Sequence, residues 1–141
     1  MDLEKCWYIS PPWEKVPQVI ATFGQKVYVH NVNVFGYCCG YQWEDGRLNY
    51  AIATKASKFY LSEKGMSPVH RFAEIAVKPL FELGDLVQFQ FAKEPGIRLI
   101  LGVQLINETW FYTIEWESPR LAKDDNSLAW VAEDDLVRVA A

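Results

Sequence analysis

The side chains of this chain best equipped for chemistry are three cysteines (Cys6, Cys38, Cys39), two histidines (His30, His70) and two paired carboxylates (Asp124-Asp125, Asp134-Asp135). A thiol nucleophile needs a base in hydrogen-bond reach and a third group to orient that base. If residues 26–43 form a hairpin, His30 can meet Cys38 or Cys39, but no motif around these residues supports the pair. His70, beside Arg71, reads as a surface residue. Neighbouring cysteines on a strand point to opposite faces, so Cys38 and Cys39 would not share a metal. There is no C-x-x-C, and no histidine pair has zinc-ligand spacing. The cysteines therefore read as small hydrophobes. Adjacent carboxylates on a strand also diverge, and Asp124-Asp125 sits in a polar stretch with Asn126 and Ser127. Both acidic pairs read as solvated turns, without the further oxygen ligands that calcium or magnesium needs. No Walker loop, dinucleotide fingerprint or nucleophile elbow is present. The expectation is a chain with no catalytic residues, no metal and no cofactor, and so not an enzyme.

What the sequence does carry is an aromatic surplus: six Trp, seven Tyr and eight Phe among 141 residues. Each such ring can bury about 150–250 Å², so part of the load must fill a core. The rest is available to a partner. By strand alternation Tyr37, Tyr41 and Trp43 share one face, and Tyr50 joins them through pairing. Trp110, Tyr112, Ile114 and Trp116 share a face with Phe111 on the other. The candidate partner-binding residues are Tyr41, Trp43, Tyr50, Trp110, Tyr112 and Trp116.

The elements that must position these rings come in two similar sets. Phe23-Gly24-Gln25-Lys26-Val27-Tyr28-Val29, then Gly40, then Tyr50-Ala51-Ile52, is matched by Leu83-Gly84-Asp85-Leu86-Val87-Gln88-Phe89, then Gly102, then Tyr112-Thr113-Ile114. Gly40 to Tyr50 is ten residues, as is Gly102 to Tyr112. The sets also close alike, with Tyr60-Leu61-Ser62-Glu63-Lys64-Gly65-Met66 against Trp130-Val131-Ala132-Glu133-Asp134-Asp135-Leu136. Repetition of this kind is weighed first because it decides the fold. Alternating Val27 and Val29, Val87 and Phe89, then Leu48, Tyr50 and Ile52, have the period of half-buried strands. Asp45-Gly46 predicts a tight type I′ hairpin turn. Its counterpart is Asn107-Glu108; because Glu enters the left-handed region reluctantly, a longer loop is expected there. Gly40 and Gly102 fall inside strands, where glycine marks a bend or bulge.

A diverging opening strand, a central hairpin and a brief closing strand in about 60 residues is a compact all-β plan. The run Leu83-Gly84-Asp85-Leu86-Val87, then Gly102, then Trp110 to Trp116, then Trp130 to Leu136, resembles SH3-like barrels of the Tudor and KOW type. The chain is also similar to small uncharacterised proteins of filamentous cyanobacteria. The barrel resemblance covers residues 76–139 well and residues 16–69 less well. It implies a mainly β fold of two SH3-like small barrels from an internal repeat, packed as one rigid body. The expected boundaries are an N-terminal extended segment at 1–15, a first barrel at 16–70 and a second at 71–141. The connection around residues 70–79 carries Phe72, Ile75 and Val77 and is no flexible spacer. The aromatic Cys6–Trp13 segment is expected to pack across a barrel by an extended, polyproline-like path. The resemblance implies binding, since SH3-like barrels hold extended peptides or modified side chains on aromatic surfaces.

Composition bounds these expectations. Half of the chain is hydrophobic and 23% is charged, outside the disordered class. No apolar run approaches the roughly 18 residues of a membrane helix, and Met1-Asp2-Leu3-Glu4-Lys5 does not read as a secretory signal. A cytoplasmic protein is expected, and the odd cysteine count suits a reducing compartment. Residues 1–70 hold 7 basic and 6 acidic side chains, residues 71–141 hold 7 and 12, and the whole is at −4. The acidic second half disfavours phosphate-backbone binding. The expected partner is a protein or peptide, with no membrane. The alternative is a nucleic-acid-associated regulator using Lys26, Lys55, Lys58, Lys64 and Arg71 on the first barrel.

Overall fold

The computed structural model describes residues 13, 15, 17–75, 77–90, 96–115 and 130–139. Among these residues ten strands follow one another: β1 (Gln25–Val29), β2 (Val34–Glu44), β3 (Arg47–Ala53), β4 (Lys58–Ser62), β5 (Met66–Phe72), β6 (Leu86–Phe89), β7 (Arg98–Ile106), β8 (Thr109–Glu115), β9 (Val131–Ala132) and β10 (Leu136–Arg138). Short 3-10 turns at Glu63–Gly65 and Glu133–Asp135 separate β4 from β5 and β9 from β10. Among the described residues no helix is long and apolar enough to cross a membrane.

All pairings are antiparallel. β2 pairs with β1 and β3, β3 with β4, and β5 returns to β1. β7 pairs with β6 and β8, β8 with β9, and β10 returns to β6. The two runs join through β2 and β7 into one sheet. Where a pair of closed barrels was expected, the chain is mainly β in one open antiparallel sheet. The physical reason lies at the 3-10 turns: the chain crosses there without laddering, so β4 pairs only with β3 and β5 only with β1.

Strand alternation places the core. Val27, Cys38, Leu48, Tyr50, Ile52 and Met66 are buried in one cluster, and Val87, Ile100, Trp110, Tyr112, Ile114 and Leu136 in a second. Tyr41 packs against both. The Asp45-Gly46 turn forms as expected, with positive φ at both residues (51° and 81°). Its counterpart differs from expectation. Ile106 pairs with Thr109, so the turn has only two residues, and Asn107 and Glu108 both take positive φ, 48° and 66°. The ladder on either side outweighs the reluctance of Glu108, because a longer loop would break the last β7–β8 rung.

Bulges interrupt both long hairpins. Cys38 faces Ile52 but Gly40 faces Ala51, and Ile100 faces Ile114 but Gly102 faces Thr113, leaving Cys39 and Leu101 as the extra residues. A bulge shifts the alternation by one. Tyr37 is therefore exposed while Tyr41 and Trp43 pack against the first cluster, correcting the expectation that all three share a face. Each glycine following a bulge sits on the β2–β7 seam. There Gly40 faces Gln104, Tyr41 faces Val103 and Gln42 faces Gly102. A Cβ at Gly40 would stand 2.5 Å from the Val103 carbonyl oxygen and 2.7 Å from Gln104 Cα, so only glycine lets the two strands approach this closely.

Candidate functional site

A cleft of about 520 Å³ opens beside the seam, within the size range of ligand pockets. Phe23, on the turn before β1, stacks on Tyr41 at 4.8 Å and 13°, and meets Trp110 edge-on at 4.8 Å. Trp110 is fixed by its indole N–H, which donates to the Val77 carbonyl at 2.9 Å. Phe72, at the end of β5, is 56% exposed and forms an outer wall with Ile75. Lys78 and Glu82 place opposite charges on the lining. Burial, then the neighbouring Cys38 and the Glu82 carboxylate, push the Tyr41 phenol well above its usual range, so it stays a neutral hydroxyl. Among the described residues the lining holds neither histidine nor cysteine. Such a surface can take up an extended apolar or aromatic segment by area burial and ring contacts.

The residues expected from sequence divide clearly. Tyr41 and Trp110 come together in the cleft. Trp43 is half-buried, edge-on to Trp13 at 5.3 Å and 76°. Tyr50 and Tyr112 are core residues, 1% and 0% exposed, and their hydroxyls tie down the segments ahead of β1 and β6. The Tyr50 hydroxyl accepts the Ile20 N–H at 3.0 Å. The Tyr112 hydroxyl accepts the Phe81 N–H at 3.3 Å and donates to Glu133 Oε1, which also accepts the Leu80 N–H at 2.9 Å. Burial raises both phenols. Trp116, Asp124-Asp125 and, apart from Trp13, the Cys6–Trp13 segment lie outside the described residues. Sequence reasoning missed Phe23 and Phe72, although the apolar character of the connection after β5 was the available signal for Phe72.

A second surface lies on the outer face of the first run. Lys26, Tyr37, Ala53 and Lys58 are register partners in one row across β1 to β4. Tyr37 and Phe35 are exposed, and Lys26 Nζ stands 4.7 Å from the centre of the Phe35 ring. Lys64 is set apart on the first 3-10 turn, lining another hollow with Arg47.

The thiols are ill-suited to nucleophilic work. Burial pushes Cys38 up to about 12, with its Sγ held 3.5 Å from the Gly40 carbonyl. Burial also raises Cys39, and Lys58 pulls it partly back. His30 meets Ser67 Oγ at 2.7 Å on the exposed side, not a cysteine. Asp134 and Asp135 sit exposed on the second 3-10 turn, and among the described residues no group of three His, Cys, Asp or Glu gathers as metal ligands would.

No curated protein and no solved structure matches this chain. A family model described as "Protein of unknown function (DUF1392)" matches residues 1–139. With that match running almost from end to end, the chain belongs to the DUF1392 family.

Proposed function

We propose that this chain is a non-catalytic binding module that folds an SH3-like unit twice and recognises a protein or peptide partner through the aromatic cleft. The observation that carries the reading is the cleft itself, where Phe23, Tyr41, Phe72 and Trp110 converge between the two runs of strands. The doubled unit is supported by matching contacts. Gly24 N–H donates to the Cys38 carbonyl as Gly84 N–H does to Ile100, and His30 N–H donates to Gly65 as Gln90 N–H does to Asp135. Thr22 N–H donates to Gln25 Oε1 as Glu82 N–H does to Asp85 Oδ2. The free thiols of Cys38 and Cys39 suit a reducing compartment such as the cytoplasm.

The test is selection of extended peptides from a displayed random library, followed by titration into the full chain. A shared motif whose binding weakens at least about tenfold in Phe72→Ala, with folding unchanged, supports the reading. Failure to enrich any peptide, or binding indifferent to Phe72→Ala and Lys78→Ala, removes it.

A second reading, a nucleic-acid-associated regulator, is favoured by the row Lys26–Tyr37–Ala53–Lys58, which interleaves cations with an exposed ring. It requires affinity for single-stranded RNA or DNA that falls steeply with added salt and is lost in Lys26→Ala/Lys58→Ala. Absence of binding at low salt eliminates it.

A further inference from the structure

A different kind of hollow, of about 270 Å³, lies beside the seam, with Tyr41 on its lining as well. Side chains alternate along β2, so Gln42 and Glu44 project here while Tyr41 turns to the core. Gln104 faces Gly40 across the seam, Asn49 faces Gln42, and Tyr60 lies on the same row as Gly40 through Ala51. Trp130 completes the lining.

Gln104 is 1% exposed, and its Nε2 donates to the Tyr60 hydroxyl at 3.0 Å. Its Oε1 is buried without a partner. A buried amide oxygen left unpaired is costly, and such a group in a native fold calls for an explanation. A bound donor supplies one. The lining adds the Glu44 carboxylate and the Gln42 and Asn49 amides, and among the described residues it holds no Lys, Arg or His. The site therefore favours a ligand rich in donors that carries no negative charge. These polar groups are spread over neighbouring strands, not ranged along one line. A flat heterocycle holds its donors and acceptors fixed in the plane of its ring. A ring of hydroxyls offers donors and acceptors all round its rim and apolar C–H faces above and below, suited to Tyr60 and Trp130.

We propose that this hollow is a binding site for a neutral saccharide. Hydroxyl donors reach Gln104 Oε1 and Glu44, hydroxyl acceptors meet the Asn49 and Gln42 amides, and the sugar's C–H face lies on an aromatic ring. Among the described residues the site shares only Tyr41 with the lining of the aromatic cleft, and it does not depend on that reading.

The test uses the full chain and follows tryptophan fluorescence and amide chemical shifts. Glucose, galactose, mannose, N-acetylglucosamine, maltose, cellobiose, sucrose and trehalose are the probes, with adenosine and free arginine alongside. The expected result is a saturable response to at least one saccharide, weakened roughly fivefold or more by Asn49→Ala and by Trp130→Ala. Phe72→Ala, in the aromatic cleft, leaves it unchanged. Both Asn49 and Trp130 lie outside the fully buried core, so these variants remain informative if Gln104→Ala fails to fold. The proposal is overturned by no saturable response to any saccharide. It is equally overturned by a response indifferent to both variants, or by one confined to adenosine or arginine.

Discussion

Substituting alanine at Gly40 tests the seam directly. Gly40 and Gly102 do not need positive φ, so an alanine is acceptable to the backbone at either site. In an uncrowded strand the change would stabilise by about 0.5–1 kcal/mol, because glycine loses more freedom on folding. The seam reverses that sign. At Gly40 the added methyl would stand 2.5 Å from the Val103 carbonyl oxygen and 2.7 and 2.8 Å from Gln104 Cα and Cβ. Two of these contacts are backbone, so relief requires β2 and β7 to part. At Gly102 the first obstacle is the Thr113 hydroxyl, a side-chain atom that can rotate, and the next is Gln42 Cβ at 3.0 Å. Overpacking costs about 1–3 kcal/mol where side chains give way, and more where backbone must move. Gly40→Ala should therefore cost about 3 kcal/mol or more and lower Tm by roughly 10 °C, against about 1–2 kcal/mol for Gly102→Ala. Urea unfolding followed by tryptophan fluorescence, with thermal unfolding by circular dichroism, measures both. Thr113→Ala should rescue part of the Gly102→Ala loss and none of the Gly40→Ala loss. A Gly40→Ala protein as stable as the parent, or a larger loss at Gly102, would refute the argument.

Glu108→Gly should raise stability by about 1 kcal/mol in urea, since it relieves a non-glycine residue at φ 66° without touching a buried contact. Tyr112→Phe and Tyr50→Phe should each cost about 1–2 kcal/mol on the same assay by leaving the Phe81 or Ile20 N–H without its acceptor; no loss in either would show that these hydroxyls do not tether their segments. Stability should fall as pH rises above about 9. The unfolded chain then loses the Cys38 proton while the folded chain, with that thiol pushed up to about 12, retains it, so this thiol's share of the slope approaches 1.4 kcal/mol per pH unit, and the raised Cys39 adds to it. Cys38→Ala should make this decline shallower, the remainder coming from Cys39 and the buried tyrosines, and an unchanged slope in that variant would assign it wholly to other groups. At neutral pH iodoacetamide should leave Cys38 unmodified until the chain unfolds, as mass spectrometry can record.

Much of the local structure could be read from sequence because it depends on neighbours in the chain. The alternation of Val27 with Val29, the Asp45-Gly46 turn and the bend at Gly40 each follow from local backbone and burial preferences. The failures come from contacts distant in sequence. A bulge at Cys39 moves Tyr37 to solvent; Gly40 signals a bend or bulge there, but strict alternation carried across it puts Tyr37 on the wrong face. Asn107-Glu108 closes a two-residue turn because the β7–β8 ladder demands it. Tyr50 and Tyr112 read as binding residues by type, yet their hydroxyls are committed to backbone groups some 30 positions away in sequence. Phe23 and Phe72 join the cleft only because β5 returns to β1 and β2 meets β7.

The ladder between β2 and β7 is centred on Tyr41 and Val103, so Gly40 meets Gln104 on one rung and Gln42 meets Gly102 on another. Any antiparallel ladder has a local centre of this kind, so the rungs on either side of Tyr41 and Val103 are alike in geometry but carry different residues. Because the chain is single, the two rungs are free to evolve apart. Among family members, substitutions at 40 should track those at 104, and substitutions at 42 those at 102, while 40 and 102 drift independently.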